Sequence, residues 1–244
     1  MHVLIVGDSH TGALERGRAL LEEQGDLPPG IEWCILPLGT GARANTAFWT
    51  LHEDHAVLVD KHYARRLSRL PPQDPRPDVI GLSMPLWSGR VVRGLLERGF
   101  VPHGLPGGGR VISRALLRRI VRADMRYTLE LALFLRESGI PLLVIEPPRA
   151  FHALRFVRQN GAEAVLALQE AVRALQRAEV ERAGLPVVWM PDDALGADGF
   201  MRPEHAHEDP SDTHHTNAAF GAMMLRRVVP VAQALALQLE KARP

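Results

Sequence analysis

Five short apolar runs, separated by longer stretches of helical periodicity, constrain the fold of this chain more than any other feature. The runs are rich in Val, Ile and Leu, as is typical of strands buried on both faces of a parallel sheet. They lie at residues 2–6, 31–36, 79–83, 141–145 and 186–190. Helical patterns cover residues 13–23, 111–137, 162–183 and 218–241. This alternation predicts an α/β fold, a three-layer doubly wound (flavodoxin-like) five-stranded parallel sheet.

The chain length predicts a single domain over residues 1–244. Of the 244 residues, 46% are hydrophobic, which is enough to bury a large core in one domain of roughly 200 to 250 residues. Residues 42–77 predict an irregular helix followed by a proline-rich approach to the third strand. Residues 85–110 have a glycine at every fifth position from Gly89 to Gly104 and then Pro106-Gly107-Gly108-Gly109. This segment predicts a flexible loop or lid, with the proline-glycine run as its hinge.

Charge, apolar run length and cysteine content exclude several kinds of partner. A net charge of +1, from 29 basic and 28 acidic residues, gives no reason to expect nucleic acid or an anionic membrane as partner. No apolar run approaches the roughly 20 residues that cross a bilayer. Met1 leads into the first strand without a cationic start or a small-residue cleavage site, so we expect a cytoplasmic protein. Cys34 stands alone, which excludes an intrachain disulfide. The sequence leaves the oligomeric state open.

Three side chains that could act together follow the first and last predicted strands. In a doubly wound sheet, ligands bind at the carboxyl ends of the strands, near the point where the strand order reverses. Ser9 lies there, at a strand-to-helix turn that exposes its hydroxyl. Asp212 and His215 follow the fifth strand, and their spacing lets them share one side of a turn. Acyl transfer needs these three groups: Ser9 attacks, His215 takes and returns the proton, and Asp212 orients the imidazole.

Both ends of the chain resemble the SGNH hydrolases, also called GDSL-type esterases and lipases. Their first block is matched by Gly7-Asp8-Ser9 after an apolar strand, and their last block by Asp212-Thr213-His214-His215-Thr216-Asn217. Residues 138–148 are similar to the family's fourth strand and its proline-containing exit. The resemblance covers most of the chain. It implies a serine hydrolase that cleaves carboxylic esters through an acyl-enzyme intermediate.

The same resemblance implies the site and the substrate class. Ser9, Asp212 and His215 are the implied catalytic residues, and His214 is the alternative base because only the Asp-x-x-His spacing favours His215. A small-molecule ester or an acylated carbohydrate is the implied substrate, with no cofactor and no metal. Trp49 and Trp87 are candidate walls for the acyl or sugar group, although tryptophans in apolar stretches are more often part of the core.

The oxyanion hole is the part where the chain departs from the family. The family uses the serine amide, a glycine after the second strand and an asparagine after the third, which implies Ser9 and Gly41, with Gly39 as the alternative glycine. The third strand is instead followed by Ser83-Met84-Pro85-Leu86, without asparagine. One such donor is typically worth about 3 kcal/mol in the transition state. Substitutes for the third donor are Asn45, Ser83 and a main-chain amide in residues 87–89.

Two other functions stay open, the first of them because of the missing asparagine. The first is a non-hydrolytic SGNH-like binding or acyl-transfer protein that keeps the crevice. The second is a calcineurin-like metallophosphoesterase, because Asp8 and His10 match the Asp-x-His that opens that family's metal site. That family also needs Gly-Asp-x-x-Asp, Gly-Asn-His and Gly-His-x-His motifs for its two metals, and the sequence contains none of them. The histidine-rich run at 205–209 is interpreted as a polar loop that binds metals only adventitiously.

Overall fold

A five-stranded parallel sheet forms the centre of the computed structural model, which describes residues 1–103 and 109–242. Within these residues the elements in chain order are β1 (His2–Gly7), α1 (Thr11–Glu23), β2 (Glu32–Pro37), β3 (Trp49–His52), β4 (His55–Leu58), β5 (Arg69–Leu70), β6 (Val79–Ser83), α2 (Gly89–Leu96), β7 (Phe100–Pro102), β8 (Arg110–Ile112), α3 (Arg114–Glu137), β9 (Leu142–Ile145), α4 (Arg155–Asn160), α5 (Ala162–Arg182), β10 (Val187–Val188) and α6 (Ala218–Ala242).

The strand order in the main sheet is β10-β9-β6-β1-β2, and every pair in it is parallel. These are the five strands that the apolar runs predict, so the doubly wound α/β fold is confirmed. The order reverses at β1, because the chain continues to β2 on one side and later returns to β6 on the other. The crevice at this switch point therefore opens at the carboxyl end of β1, where Ser9 lies.

Alternating side chains of β1 face two separate hydrophobic clusters, which gives the fold its three layers. Leu4 and Val6 pack on the side covered by α2, α3 and α5. Val3 and Ile5 pack on the side covered by α1 and α6. The central strand is thus apolar on both faces, which explains why its sequence shows a continuous run rather than an alternating pattern.

Helices α1 and α6 approach each other closely at two glycines. A Cβ atom on Gly221 would lie 1.8 Å from the carbonyl oxygen of Ala13, and one on Gly17 would lie 2.2 Å from the amide nitrogen of Ala222. The Asn217 Oδ1 accepts a hydrogen bond of 3.0 Å from the Phe220 amide at the start of α6. This packing brings the turn that precedes α6, which contains Asp212 and His215, next to the beginning of α1.

Helix α6 covers the helical pattern predicted at residues 218–241, and it is long and apolar. Its segment Ala218–Leu239, with a mean hydropathy of 1.3, could cross a membrane by length and composition, so the expectation that no segment approaches that length is wrong. Phe220, Leu225 and Val228 of this helix are buried in the cluster that it shares with α1, while Arg226 is exposed. Packing against α1 and the sheet accounts for its apolar composition.

The prediction of an irregular helix within residues 42–77 is wrong. A single 3-10 turn, Gly41–Arg43, is followed by an antiparallel sheet in the order β3-β4-β5. His52 pairs with His55 across a two-residue turn in which Glu53 has a φ of 52°. The alternation that buries Ala56 and Leu58 of β4 has the period of a strand and not of a helix.

The predicted lid contains more regular structure than its glycine content indicated. Helix α2 lies within it, and the helix buries Val91, Val92, Leu95 and Leu96 along one face. The short strands β7 and β8 pair in parallel. Three residues of the predicted hinge, Pro106-Gly107-Gly108, lie outside the described residues, and the mobility of the segment stays a prediction. The interpretation missed α2 because glycine spacing hid its i, i+1, i+4, i+5 apolar pattern.

Candidate active site

Ser9 occupies a tight connection between β1 and α1. A Cβ atom on Gly7 would lie 2.3 Å from the carbonyl oxygen of Ser83 in the neighbouring strand, so only glycine fits there. The amide of Asp8 donates to the Ser83 carbonyl at 3.3 Å, and the amide of Gly12 donates to the Ser9 carbonyl at 3.1 Å. These contacts end the strand and begin the helix within a few residues, which holds Ser9 half-buried at the carboxyl edge of the sheet.

Three side chains form one continuous hydrogen-bonded chain at this edge. The Nε2 of His215 lies 2.9 Å from the Ser9 Oγ, and its Nδ1 lies 2.8 Å from the Asp212 Oδ2. Both distances are within the range that joins a nucleophile, a base and an orienting group. The turn holds itself in place, because the Asp212 Oδ1 accepts the amides of His214 and His215 at 3.0 Å each.

The charge of Asp212 is set by these hydrogen bonds. Partial burial alone would raise the pKa of its carboxyl group, but the hydrogen bonds from the His215 amide, the His215 ring and the His214 amide hold that pKa below its ordinary value. Asp212 is therefore ionised at neutral pH. An ionised carboxylate beside Nδ1 favours the tautomer with a proton there, which leaves Nε2 free to accept the Ser9 hydroxyl proton.

His214, the alternative base, is turned toward a different neighbour. Its ring lies 4.7 Å from the ring of His10 in an edge-on arrangement, and 6.0 Å from Trp87. Burial, and then the neighbouring His215 charge, lower the pKa of His214 to about 4. Among the described residues, the imidazole ring that contacts both the Ser9 hydroxyl and the Asp212 carboxylate is that of His215.

Asp8 and His10, on either side of Ser9, are buried with polar atoms that lack partners. The Asp8 Oδ1 accepts the His10 amide at 2.9 Å, whereas the Asp8 Oδ2 and both ring nitrogens of His10 have no hydrogen-bond partner in the described part of the chain. Burial raises the pKa of Asp8 to about 7 and holds that of His10 well below its ordinary value. Sequence reasoning considered Asp8 as part of the Gly7-Asp8-Ser9 block and both residues as a possible metal motif, without a role beside Ser9.

Gly41 lies against the crevice and Gly39 does not. A Cβ atom on Gly41 would lie 2.8 Å from the Asp8 Oδ2 and 2.8 Å from the Trp87 ring, whereas one on Gly39 would meet the Tyr63 ring at 3.2 Å. The two glycines therefore face different surroundings: Gly41 is buried against the Ser9 turn, and Gly39 is half-buried against the Tyr63 ring.

Arg90, which sequence reasoning missed, holds the Gly41 loop to the helices behind it. It donates to the carbonyl of Gly41 and pairs with both carboxylate oxygens of Asp124 in α3, at 2.7 and 2.8 Å. Its guanidinium also lies 5.1 Å from the centre of the Trp87 ring. The one sequence signal was Asp124, an aspartate on the largely apolar face of α3, and this residue is 8% exposed.

The candidates for a third oxyanion donor have different positions. Ser83 is buried at the end of β6, directly beside Gly7 in the sheet register. Asn45 is exposed, just past the 3-10 turn. Residues 87–89 lead into α2, where Trp87 and Ser88 line the crevice. Ser83 and the residue 87–89 segment thus lie at the sheet edge, while Asn45 lies on the surface.

A pocket that opens to solvent adjoins His10 and His214. Its wall is largely apolar, with Trp87, Val92 and Phe156 among the lining residues. Trp49, the other predicted wall, is elsewhere: its indole Nε1 donates to the Tyr127 carbonyl at 2.9 Å, so it packs against α3. One of the two predicted tryptophans therefore lies at the pocket.

Comparison with known proteins gives structural likeness only. No protein-family model and no curated protein matches the chain. A protein from Desulfitobacterium hafniense DCB-2, assigned to the lipolytic G-D-S-L family, superimposes with a TM-score of 0.50 over 94% of this chain and 98% of its own, at 10% identity. The chain has the SGNH-hydrolase fold.

Two further solved structures are similar at slightly lower scores. An acetyl xylan esterase, AlAXEase, gives a TM-score of 0.49 at 14% identity, covering 95% of this chain and 99% of that one. A carbohydrate acetylesterase family member from Sinorhizobium meliloti gives 0.48 at 17% identity, covering 96% and 98%.

Proposed function

We propose that this protein is a serine hydrolase that cleaves carboxylic esters through an acyl-enzyme intermediate on Ser9. The observation that carries the proposal is the unbroken chain from Ser9 Oγ to His215 Nε2, at 2.9 Å, and from His215 Nδ1 to the Asp212 carboxylate, at 2.8 Å. A nucleophile, a base and an orienting carboxylate in this geometry are suited to acyl transfer.

In the proposed reaction the Ser9 Oγ attacks the ester carbonyl carbon while its proton passes to His215 Nε2. The imidazolium that forms is stabilised by the ionised Asp212. When the tetrahedral intermediate collapses, the carbon–oxygen bond to the alcohol breaks and His215 returns the proton to the leaving oxygen. Water then repeats the sequence on the acyl-enzyme and releases the carboxylic acid.

The negative charge on the carbonyl oxygen needs donors on the opposite side from His215. We propose the amides of Ser9 and Gly41 for this role, because Gly41 lies against Asp8 and Trp87 at the crevice whereas Gly39 packs on Tyr63. Arg90 would act as a positioning residue, since it binds the Gly41 carbonyl and thereby fixes the loop. The third donor is open among Ser83, Asn45 and the amides of residues 87–89.

The apolar pocket beside His10 and His214 suits the acyl group of the ester. Trp87, Val92 and Phe156 in its wall can bury methylene or methyl groups, and the alcohol would leave toward solvent. The proposed substrates are small-molecule esters, including acylated carbohydrates.

A second candidate function is acyl binding or transfer without hydrolysis. The observation that favours it is the absence of asparagine after β6, where the chain reads Ser83-Met84-Pro85-Leu86. Loss of one oxyanion donor would slow hydrolysis by about a hundredfold or more, while the crevice would still bind an acyl group.

Covalent labelling separates these functions. A fluorophosphonate probe should form a bond to Ser9 Oγ with loss of fluoride, and p-nitrophenyl acetate should be hydrolysed in the presence of EDTA. Ser9→Ala should abolish both, whereas Ser68→Ala, at an exposed serine, should keep both. Labelling of Ser9 without turnover would support the acyl-binding alternative. Activity on a phosphate ester that EDTA removes would contradict the serine mechanism and support the metallophosphoesterase.

A further inference from the structure

Three histidines at the crevice form a cluster that the proposed reaction does not need in full. His10, His214 and His215 each offer a ring nitrogen, and these nitrogens lie within 4.8 Å of one another. The ring centroid of His10 is 4.7 Å from that of His214 and 5.1 Å from that of His215. Only His215 has a role in proton transfer, so the grouping of the other two requires a separate explanation.

His10 is the member whose surroundings point to a ligand. It is 5% exposed, and in the described part of the protein neither of its ring nitrogens has a hydrogen-bond partner. A buried polar group without a partner typically costs about 1–3 kcal/mol. Its ring lies beside the rings of His214 and His215. A ligand that bound a ring nitrogen of His10 would therefore also meet the other two imidazoles.

Imidazole nitrogens are characteristic ligands of zinc and other late first-row divalent cations. With zinc–nitrogen bonds of about 2.0–2.1 Å, nitrogens in a tetrahedral set lie about 3.4 Å apart. The cluster, whose nitrogens lie within 4.8 Å of one another, would therefore have to close by up to about 1.4 Å, a shift that side-chain rotation can supply. Three histidines also leave a fourth position for water.

His215 is already oriented for coordination. Its Nδ1 is bound to Asp212 at 2.8 Å, and a carboxylate on the second ring nitrogen is the arrangement that commonly supports a metal-binding histidine. The other nitrogen, Nε2, is the one that contacts the Ser9 Oγ. A cation and the serine proton would thus compete for the same atom.

We propose that His10, His214 and His215 form an inhibitory site for a divalent transition cation of the zinc type, which withdraws His215 from Ser9. The binding site stands on the cluster alone, while its inhibitory effect rests on the proposed hydrolase function. The cation is an inhibitor and not a cofactor, because Nε2 cannot coordinate a metal and accept the serine proton at the same time.

Metal binding can be measured without any substrate. EDTA-treated protein is titrated with Co²⁺, whose visible absorption reports low-coordinate nitrogen ligation, and with Zn²⁺ by calorimetry. The wild type should bind one equivalent of each. His10→Phe and His214→Asn should each weaken the binding of both cations at least tenfold. Two variants are used so that the test still holds if one of them misfolds.

A matched control distinguishes this cluster from a surface site. His52 and His55 on the β3–β4 hairpin have ring centroids 5.2 Å apart and could hold a cation adventitiously. His52→Asn should leave the bound equivalent unchanged. If His52→Asn removes it, or if His10→Phe and His214→Asn retain wild-type affinity, the ion is adventitious only and the proposal is overturned.

The inhibitory effect is tested by activity and by labelling. Zn²⁺ should suppress p-nitrophenyl acetate hydrolysis and fluorophosphonate labelling of Ser9 over the concentration range in which it binds, and EDTA should restore both. Binding by the three histidines in a protein without esterase activity would remove the hydrolase proposal but keep the site. An esterase that binds no Zn²⁺, or whose rate and labelling are unchanged when Zn²⁺ is bound, would keep the hydrolase and overturn the inhibitory site.

Discussion

The two sides of the crevice around Ser9 differ in how their polar atoms are satisfied. On one side, Asp212 and His215 are hydrogen-bonded to each other, to the turn amides and to Ser9. On the other, Asp8 and His10 are buried with atoms that have no partner among the described residues. The paired side has the order that proton transfer requires. The unpaired side carries a cost in stability, and such costs are concentrated at sites that bind or react.

Breaking the paired side should have the largest effect on activity. In Asp212→Asn the side-chain oxygen can still accept the turn amides, but an NH₂ group then faces His215 Nδ1 and stabilises the wrong tautomer. We expect kcat for p-nitrophenyl acetate to fall by about 10³ to 10⁴. Asp209→Asn, at an exposed residue of the same loop, is the matched control and should stay within about twofold, the range of ordinary surface substitutions. Equal loss in both variants would indicate that the loop, rather than the carboxylate, sets the rate.

A pair of glycine substitutions tests the unpaired side. Gly41→Ala puts a Cβ atom 2.8 Å from both the Asp8 Oδ2 and the Trp87 ring, so the loop must shift away from the proposed oxyanion position. We expect kcat to fall by about a hundredfold. The fraction of protein molecules that the fluorophosphonate probe labels should change little. Gly39→Ala puts a Cβ atom 3.2 Å from the Tyr63 ring and should lower the unfolding midpoint rather than kcat. The reverse pattern would assign the oxyanion donor to Gly39.

The same contrast explains what could be predicted from sequence. The five buried strands and the positions of Ser9, Asp212 and His215 after strand ends follow from local patterns, because apolar runs and motif spacing are visible in the chain itself. The Arg90–Asp124 pair joins two helices and acts on the Gly41 loop, so it depends on packing between segments far apart in sequence.

Prediction from local patterns was wrong in two segments. Helix α2 was hidden by its glycines, and the β3–β4 hairpin was mistaken for a helix because the pairing of His52 with His55 is a contact across a turn. His10 was considered only as part of a metal motif whose other motifs are absent, and the edge-on contact between its ring and that of His214 is a tertiary contact that no motif reports. The single-domain organisation, the lid and the cytoplasmic location stay predictions.

Removing the unpaired nitrogens should change stability in the direction opposite to most core substitutions. In His10→Phe the ring remains and both unpartnered nitrogens disappear, so we expect the free energy of unfolding to rise by about 1 kcal/mol. Urea unfolding with EDTA present measures this. Leu14→Ala, a truncation of the neighbouring buried leucine in α1, should lower the same quantity by about 2–5 kcal/mol. Destabilisation by His10→Phe would mean that the nitrogens are hydrogen-bonded in solution.

The smallest expected effect concerns a buried histidine away from the Ser9 turn. His205 is 7% exposed, its Nδ1 has no partner in the described chain, and burial lowers its pKa below the ordinary 6.5. As pH falls below about 6.5, the unfolded state therefore takes up a proton more readily than the folded state, and stability decreases. His205→Asn should make the free energy of unfolding less dependent on pH between about 7 and 5, measured by urea titrations at each pH. An unchanged slope would show that His205 titrates equally in both states, and that unpaired nitrogens affect stability only beside Ser9.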